Sequence, residues 1–176
     1  MSVKKKLFVL GGCRSGKSSY ALKRAQEASA KNNIFIATCI PLDDEMKLRV
    51  TSHRQERGRQ WQTVEAPVHL AEAIEKINAD AGIVLVDCLT LWINNLLMEN
   101  PDPEFVLEQI RGLTRAVKSA VCPVILVSNE VGTGIVPENK LARLYRDLVG
   151  STNQAVAECV DHVVWVVAGI PVTVKG

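Results

Sequence analysis

The segment GGCRSGKS, residues 11–18, constrains the fold of this chain more than any other stretch. It fits the pattern G-x-x-x-x-G-K-[S/T], in which a glycine-rich backbone closes around phosphate oxygens. The apolar run KLFVL precedes it and is typical of a buried strand, while the residues that follow, as far as Lys31, have helical spacing of small apolar side chains. A strand, this segment and a helix in that order predict a phosphate-binding loop, called the phosphate loop below.

The residues around the phosphate loop predict a site for a nucleoside triphosphate and Mg²⁺. The helix N-terminus attracts anions, Lys17 reaches the terminal phosphates, and Ser18 can bind Mg²⁺. The apolar strand IVLVD ends at Asp87, whose carboxylate is either a second Mg²⁺ ligand or a helix cap. The loop upstream favours the metal role. A mechanical ATPase, a GTPase switch and a small-molecule kinase all share these features.

The rest of the chain predicts an α/β fold. Runs of Val, Ile and Leu separated by helical segments are typical of a parallel sheet covered on both faces, here with an antiparallel pair at the C-terminus as an option. Strands are predicted at 33–39, 82–87, 123–129 and, as one or two strands, 161–176. Helices are predicted after Asp43–Glu45 as far as Gly58, at 69–78, 88–97 and 101–120, and at 138–160 with a break near Gly150 as an alternative.

Length and composition limit the classes of function. A chain of 176 residues without a linker fits one domain over residues 1–176. A net charge of +2 argues against nucleic acid as the partner. We expect no membrane span, because no window approaches about 20 apolar residues, and no signal sequence, because Leu7–Leu10 is too short. Five scattered cysteines indicate reduced thiols and a cytoplasmic protein.

One histidine, His53, lies in an unusually basic segment, MKLRVTSHRQERGRQW, at 46–61. On a helix it shares a face with Met46 and Val50, which could anchor the helix, and with Arg49 and Arg57. The arginines would disfavour the imidazolium and stabilise phosphate charge, which suits a histidine nucleophile. A solvated basic helix face fits the same spacing, so the segment alone leaves both interpretations open.

Several blocks together resemble one known family over essentially the whole chain. They are the phosphate loop, DDEM at 43–46, R-x-x-x-H-R at 49–54, W-x-T-x-E at 61–65, DCLTLWINNLL at 87–97 and NEVGTGIVPEN at 129–139. The sequence resembles the bifunctional adenosylcobinamide kinases / adenosylcobinamide-phosphate guanylyltransferases of cobalamin biosynthesis. The resemblance implies a RecA-like fold, a homotrimer, Mg²⁺, and ATP and GTP as substrates, with adenosylcobinamide and its phosphate as acceptors. A chain with guanylyltransferase activity only, or a regulatory nucleotide switch, remains the alternative.

The resemblance also implies roles for individual residues. His53 would carry GMP as a covalent intermediate; some relatives have two adjacent histidines where this chain has Ser52–His53. Glu65 would contact the guanine nucleotide, and the 129–139 loop would shape a ligand pocket unless it is only a tight turn. The candidate catalytic residues are His53 and Lys17, and the metal ligands are Ser18 and Asp87. The candidate nucleotide-binding residues are Gly11, Gly12, Cys13, Arg14, Ser15, Gly16, Lys17, Ser18, Thr38, Cys39, Arg54, Arg57, Glu65 and Asp87.

Overall fold

The computed structural model describes residues 6–29, 31–41, 44, 58, 60–77 and 81–176. The strands are β1 (Lys6–Gly11), β2 (Asn33–Ala37), β3 (Trp61–Glu65), β4 (Ile83–Asp87), β5 (Val124–Asn129), β6 (His162–Val167) and β7 (Ile170–Lys175). The helices are α1 (Lys17–Ala28), α2 (Leu70–Glu75), α3 (Leu89–Glu99), α4 (Pro103–Ser119) and α5 (Lys140–Cys159). The predicted helix between Asp43 and Gly58 lies outside the described residues, apart from Asp44 and Gly58 themselves.

The described strands form one sheet in the order β3-β2-β4-β5-β1-β6-β7. All neighbouring pairs are parallel except β6 and β7, which are antiparallel. The prediction of a mostly parallel sheet with an antiparallel C-terminal edge is therefore confirmed. Strand β3 is absent from the prediction because WQTVE is short and carries polar residues at three of its five positions.

Both faces of the sheet are covered, as the apolar strands indicated. On one face, Ala21 and Ala25 of α1 pack against Val9, Leu85 and Val127 of the sheet. This side is called the α1 face below. The opposite face carries the larger core, to which α2, α3, α4 and α5 contribute buried side chains.

Two helix predictions meet different outcomes. Helix α4 begins where Asp102–Pro103 predicted, and the Asp102 side chain accepts a hydrogen bond from the Glu104 backbone N–H at 3.1 Å. The alternative of a break near Gly150 is wrong, since α5 runs unbroken from Lys140 to Cys159. A helical glycine costs only about 1 kcal/mol, and burial of Val149 and Thr152 on either side of it offsets that cost. Among the described residues, no helix is long and apolar enough to cross a membrane.

Candidate functional site

The phosphate loop, Gly11–Ser18, joins β1 to α1 as the motif predicted. Gly11 allows close approach of the backbone, because a Cβ there would overlap Ser15 Oγ and lie 2.7 Å from the Val166 carbonyl oxygen. Gly16 has φ +90°, the left-handed conformation that glycine adopts without strain. The Gly12 carbonyl accepts hydrogen bonds from the Ser15 N–H at 3.3 Å and the Lys17 ammonium at 3.2 Å. The loop is thus a folded turn in front of the first helical residue.

The remaining loop residues occupy distinct positions. Cys13 and Arg14 are exposed at the tip, while Ser15 is buried and Ser18 is half-buried in the first turn of α1. The Gly16 carbonyl accepts from the Tyr20 N–H at 2.9 Å, which starts the helical ladder. The backbone N–H groups ahead of that ladder stay available for an anion at the N-terminus of a 12-residue helix.

Side-chain alternation brings Gly11, Asp87, Asn129 and Glu65 to the same face of the sheet. Two residues before each strand end, Val9, Leu85 and Val127 pack in the α1-face cluster, and Trp61 packs there four residues before Glu65. Because alternate residues of a strand share a face, the residues at the four strand ends lie on the α1 face as well. The backbone register pairs Gly11 with Asn129, Asp87 with Ala37, and Ala37 with Glu65. A row of site candidates therefore lies along the carboxyl edge.

The sheet order sets the spacing along this row. Adjacent strands lie about 4.8 Å apart. Asp87 on β4 pairs with Val127 of β5, whereas Gly11 on β1 pairs with Asn129, two residues further along β5. Their backbones are therefore roughly 12 Å apart, a separation that suits a bound triphosphate. Glu65 on β3 is two strands beyond Asp87 on the other side, roughly 10 Å away. An extended nucleotide along the carboxyl edge could reach from the phosphate loop toward Glu65, which is exposed.

Thr38 ties β2 to the end of β4 instead of facing solvent. Its side chain is completely buried. Its hydroxyl accepts from the Cys88 N–H at 2.8 Å and donates to the Cys88 carbonyl oxygen at 2.8 Å. Its own carbonyl accepts from the Asn95 amide at 2.8 Å. Thr38 thus offers no exposed atom to a nucleotide in this structure and acts as a support for Asp87, whereas the neighbouring Cys39 is half-buried.

The residue after Asp87 is a buried thiol. Burial raises the pKa of Cys88 to about 11, and the nearby Asp87 charge adds to the rise. The Cys88 Sγ lies 3.0 Å from Thr90 Oγ1. Cys88 is therefore a buried, protonated thiol at physiological pH.

A polar network behind the site joins residues that no local sequence pattern connects. The Asn129 amide donates to Thr90 Oγ1 at 3.4 Å, and the Asn153 amide donates to the Asn129 carbonyl at 3.2 Å. Tyr145 donates to the Thr90 carbonyl at 3.2 Å. These residues come from β5, α3 and α5, so only the tertiary structure brings them together. Glu130 accepts from the Gly132 N–H at 2.6 Å and thereby shapes the predicted 129–139 loop.

The donor set at the phosphate loop suits Mg²⁺ bound together with a nucleotide. Mg²⁺ usually takes one or two carboxylates and completes its shell with phosphate oxygens and water. Ser18 and Asp87 offer one hydroxyl and one carboxylate on the α1 face. Among the described residues, no group of three or more His, Cys, Asp or Glu side chains could form an all-protein metal site.

Three predicted site residues, His53, Arg54 and Arg57, lie outside the described residues. The structure therefore brings together the phosphate loop, Ser18, Asp87 and, further along the edge, Glu65. Glu65 also lines a groove of about 1130 Å³ that runs along β3 and α2.

The fold and the phosphate loop define a P-loop nucleoside-triphosphate-binding protein with a RecA-like sheet. Solved structures share this fold at low sequence identity. The RadB recombinase has a TM-score of 0.51 at 15% identity, with 92% of this chain and 74% of that chain covered. The flagellar accessory protein FlaH from Methanocaldococcus jannaschii has a TM-score of 0.52 at 10% identity, with 98% and 78% covered.

The sequence comparisons narrow this class to one family. The family described as "Cobinamide kinase / cobinamide phosphate guanyltransferase" matches residues 7–174. The bifunctional adenosylcobalamin biosynthesis protein CobP of Pseudomonas aeruginosa is 41% identical, with 96% of both chains covered. The bifunctional adenosylcobalamin biosynthesis protein CobU of Escherichia coli is 39% identical, with 96% of this chain and 99% of that protein covered. The chain belongs to the cobinamide kinase / cobinamide phosphate guanyltransferase family.

Proposed function

We propose that this chain, as one domain over residues 1–176, catalyses two successive steps in cobalamin biosynthesis. It phosphorylates adenosylcobinamide with a nucleoside triphosphate, then transfers GMP from GTP to adenosylcobinamide phosphate. The observation that carries the proposal is the match to bifunctional relatives over 96% of the chain. The proposal is also supported by the position of the phosphate loop, Asp87 and Glu65 on the same face of the sheet.

In the kinase step, the phosphate loop holds the triphosphate and Lys17 neutralises charge on its terminal phosphates. Ser18 and Asp87 would hold Mg²⁺, which would neutralise further charge on the phosphates. The aminopropanol hydroxyl of adenosylcobinamide forms a bond to the γ-phosphorus while the bond to the β-phosphate oxygen breaks. The nucleoside diphosphate leaves, and the hydroxyl proton passes to solvent.

In the guanylyltransferase step, His53 is the proposed nucleophile. Its imidazole nitrogen bonds to the α-phosphorus of GTP, and pyrophosphate leaves. Arg54 and Arg57 stabilise the phosphate charge that builds up. The phosphate of adenosylcobinamide phosphate then displaces the histidine, giving adenosylcobinamide-GDP. Glu65 accepts hydrogen bonds from guanine N1–H and N2–H₂, which adenine does not offer.

We also propose that the chain forms a homotrimer in the cytoplasm. Support for assembly comes from β7, where Ile170, Val172 and Val174 are exposed on an edge strand, since exposed apolar surface of this kind favours association. Support for the location comes from the odd number of scattered cysteines. Light scattering after gel filtration measures the mass, and three times 19.3 kDa is the expected result.

Radiolabelled GTP tests the guanylyltransferase half. With label at the α-phosphate, we expect a covalent GMP adduct that is labile in acid and stable in base, as a phosphoramidate is. His53→Ala should abolish the adduct, whereas His69→Ala, an exposed histidine paired with Glu72 at 3.3 Å, should keep it. An adduct that survives His53→Ala would refute the assignment of the nucleophile. No adduct in the wild type would refute the guanylyltransferase.

Label at the γ-phosphate tests the kinase half independently. ATP and GTP are each supplied with adenosylcobinamide, and transfer of label to the corrinoid shows which donor is used. His53→Ala should retain this transfer, because the nucleophile there is the substrate hydroxyl. A GMP adduct without any γ-phosphate transfer would show that the chain is only a guanylyltransferase. If neither the adduct nor the transfer is observed, the regulatory nucleotide switch is the interpretation that remains.

A further inference from the structure

The phosphate loop is supported from behind by the C-terminal hairpin. Strand β6 runs beside β1, with Val166 paired to Gly11 at the start of the loop. Strand β7 then returns through the two-residue turn Ala168–Gly169. Both turn residues have positive φ, +50° and +82°, as in a type I′ turn. The tip of the hairpin therefore lies at the carboxyl edge, next to the loop.

The turn makes a direct hydrogen bond to the phosphate loop. The Gly169 backbone N–H donates to the Ser15 carbonyl oxygen at 2.9 Å. A Cβ on Gly16 would lie 3.4 Å from the Gly169 Cα and 3.9 Å from the Val166 Cγ1. The peptide unit that joins Ser15 to Gly16 is thus held and packed by the hairpin.

Holding this carbonyl also orients an amide. In a planar trans peptide the C=O and the N–H of the same unit point in opposite directions. Because the Ser15 carbonyl points to the hairpin, the Gly16 N–H points away from it. Gly16, with its left-handed φ and no side chain, offers little resistance to rotation of that unit. A rotated unit would turn a carbonyl oxygen, instead of an N–H donor, toward a bound phosphate.

We propose that Gly169 is a positioning residue for triphosphate binding. Its backbone N–H fixes the Ser15–Gly16 peptide so that the Gly16 N–H is presented to the phosphate. The proposal rests on the proposed function only in that the phosphate loop binds a nucleoside triphosphate. It makes the C-terminal hairpin part of the nucleotide site, although no phosphate-loop motif includes it.

The test replaces the Gly169 amide with an ester. Cys159 is a native ligation point, so residues 159–176 can be made as a peptide with glycolic acid at position 169 and joined to residues 1–158. The matched control is the same ligated protein with glycine. A neutral hydrogen bond contributes about 0.5–1.5 kcal/mol, so Kd for a fluorescent GTP analogue should rise about 2- to 13-fold. The melting temperature should fall by no more than about 6 °C.

Recombinant variants give a second test that does not depend on ligation. Gly169→Asn should keep GTP affinity within about twofold, because asparagine tolerates positive φ. Gly169→Val should raise Kd as the ester does, because a β-branched residue resists that backbone conformation.

Equal GTP affinity of the ester and the all-amide protein would overturn the proposal. So would a fall in melting temperature well beyond about 6 °C with loss of binding, because the hairpin would then be a general structural element. If the all-amide protein binds GTP in an ester-sensitive way but forms no GMP adduct, the proposed function fails and the positioning role stands. If the all-amide protein binds no GTP, both fail.

Discussion

Replacing Thr38 with valine should destabilise the protein by removing two buried hydrogen bonds. The Thr38 hydroxyl accepts a hydrogen bond from the Cys88 N–H and donates one to the Cys88 carbonyl, each at 2.8 Å. Valine has nearly the same shape, so it leaves no cavity, but it leaves the Cys88 N–H unpaired, while the Cys88 carbonyl keeps the hydrogen bond from the Trp92 N–H at 3.3 Å. Thr38 has no exposed surface and Cys88 is only 8% exposed, so water cannot take over these bonds without rearrangement.

The magnitude follows from these two groups. The N–H left buried without its partner costs about 1–3 kcal/mol and the bond lost by the carbonyl about 0.5–1.5 kcal/mol, so we expect about 1.5–4.5 kcal/mol less free energy of unfolding. With a urea m-value of about 2 kcal/mol per M, the unfolding midpoint should fall by about 1–2 M. Urea titration followed by tryptophan fluorescence measures this shift.

A matched control separates the buried bonds from the chemical change itself. Thr63→Val makes the same replacement at a half-buried position of β3 and should change stability by less than about 0.5 kcal/mol. A loss below 1 kcal/mol for Thr38→Val would refute the argument. If stability held while GTP affinity fell, Thr38 would be a nucleotide contact after all.

Three further outcomes follow from the site and its supports. Ala168→Asn should raise the melting temperature by about 2–4 °C, because it relieves roughly 1 kcal/mol of left-handed strain and creates an Asn-Gly type I′ turn with Gly169. Iodoacetamide at pH 8 should alkylate the exposed Cys13 and spare the buried Cys88, as peptide mass mapping can show. Cys88 has a pKa of about 11 and therefore stays a thiol until the pH approaches that value. Asp87→Asn should raise the Mg²⁺ concentration for half-maximal kinase rate about 10- to 100-fold, measured by titration with metal.

Each of these outcomes has a counterpart that would contradict it. A lower melting temperature for Ala168→Asn would mean that the turn does not favour the type I′ geometry. Bound GTP should slow Cys13 alkylation, and equal rates with and without GTP would place the cysteine away from the nucleotide. An unchanged Mg²⁺ requirement in Asp87→Asn would remove Asp87 from the metal site.

Local sequence determined the elements whose formation depends on neighbouring residues. The phosphate loop, its strand and its helix are contiguous, so spacing and glycine content predict them together. The same holds for the start of α4, where Asp102 and Pro103 act within one turn, and for the apolar strands of a parallel sheet. The polar strand β3 and the unbroken course of α5 past Gly150 were not predictable in this way, because packing against distant elements decides both.

Only the tertiary structure decided how the separate pieces meet. The sheet order β4-β5-β1-β6 and its register bring Asp87 and Asn129 to the phosphate loop on one face, and no local pattern encodes that order. The same order buries Thr38 as a support and sets Gly169 against Ser15. The sequence by itself thus determined that a phosphate loop forms and which family the chain resembles. Long-range pairing of strands decided which residues hold that loop in place, because their hydrogen bonds join segments far apart in the chain.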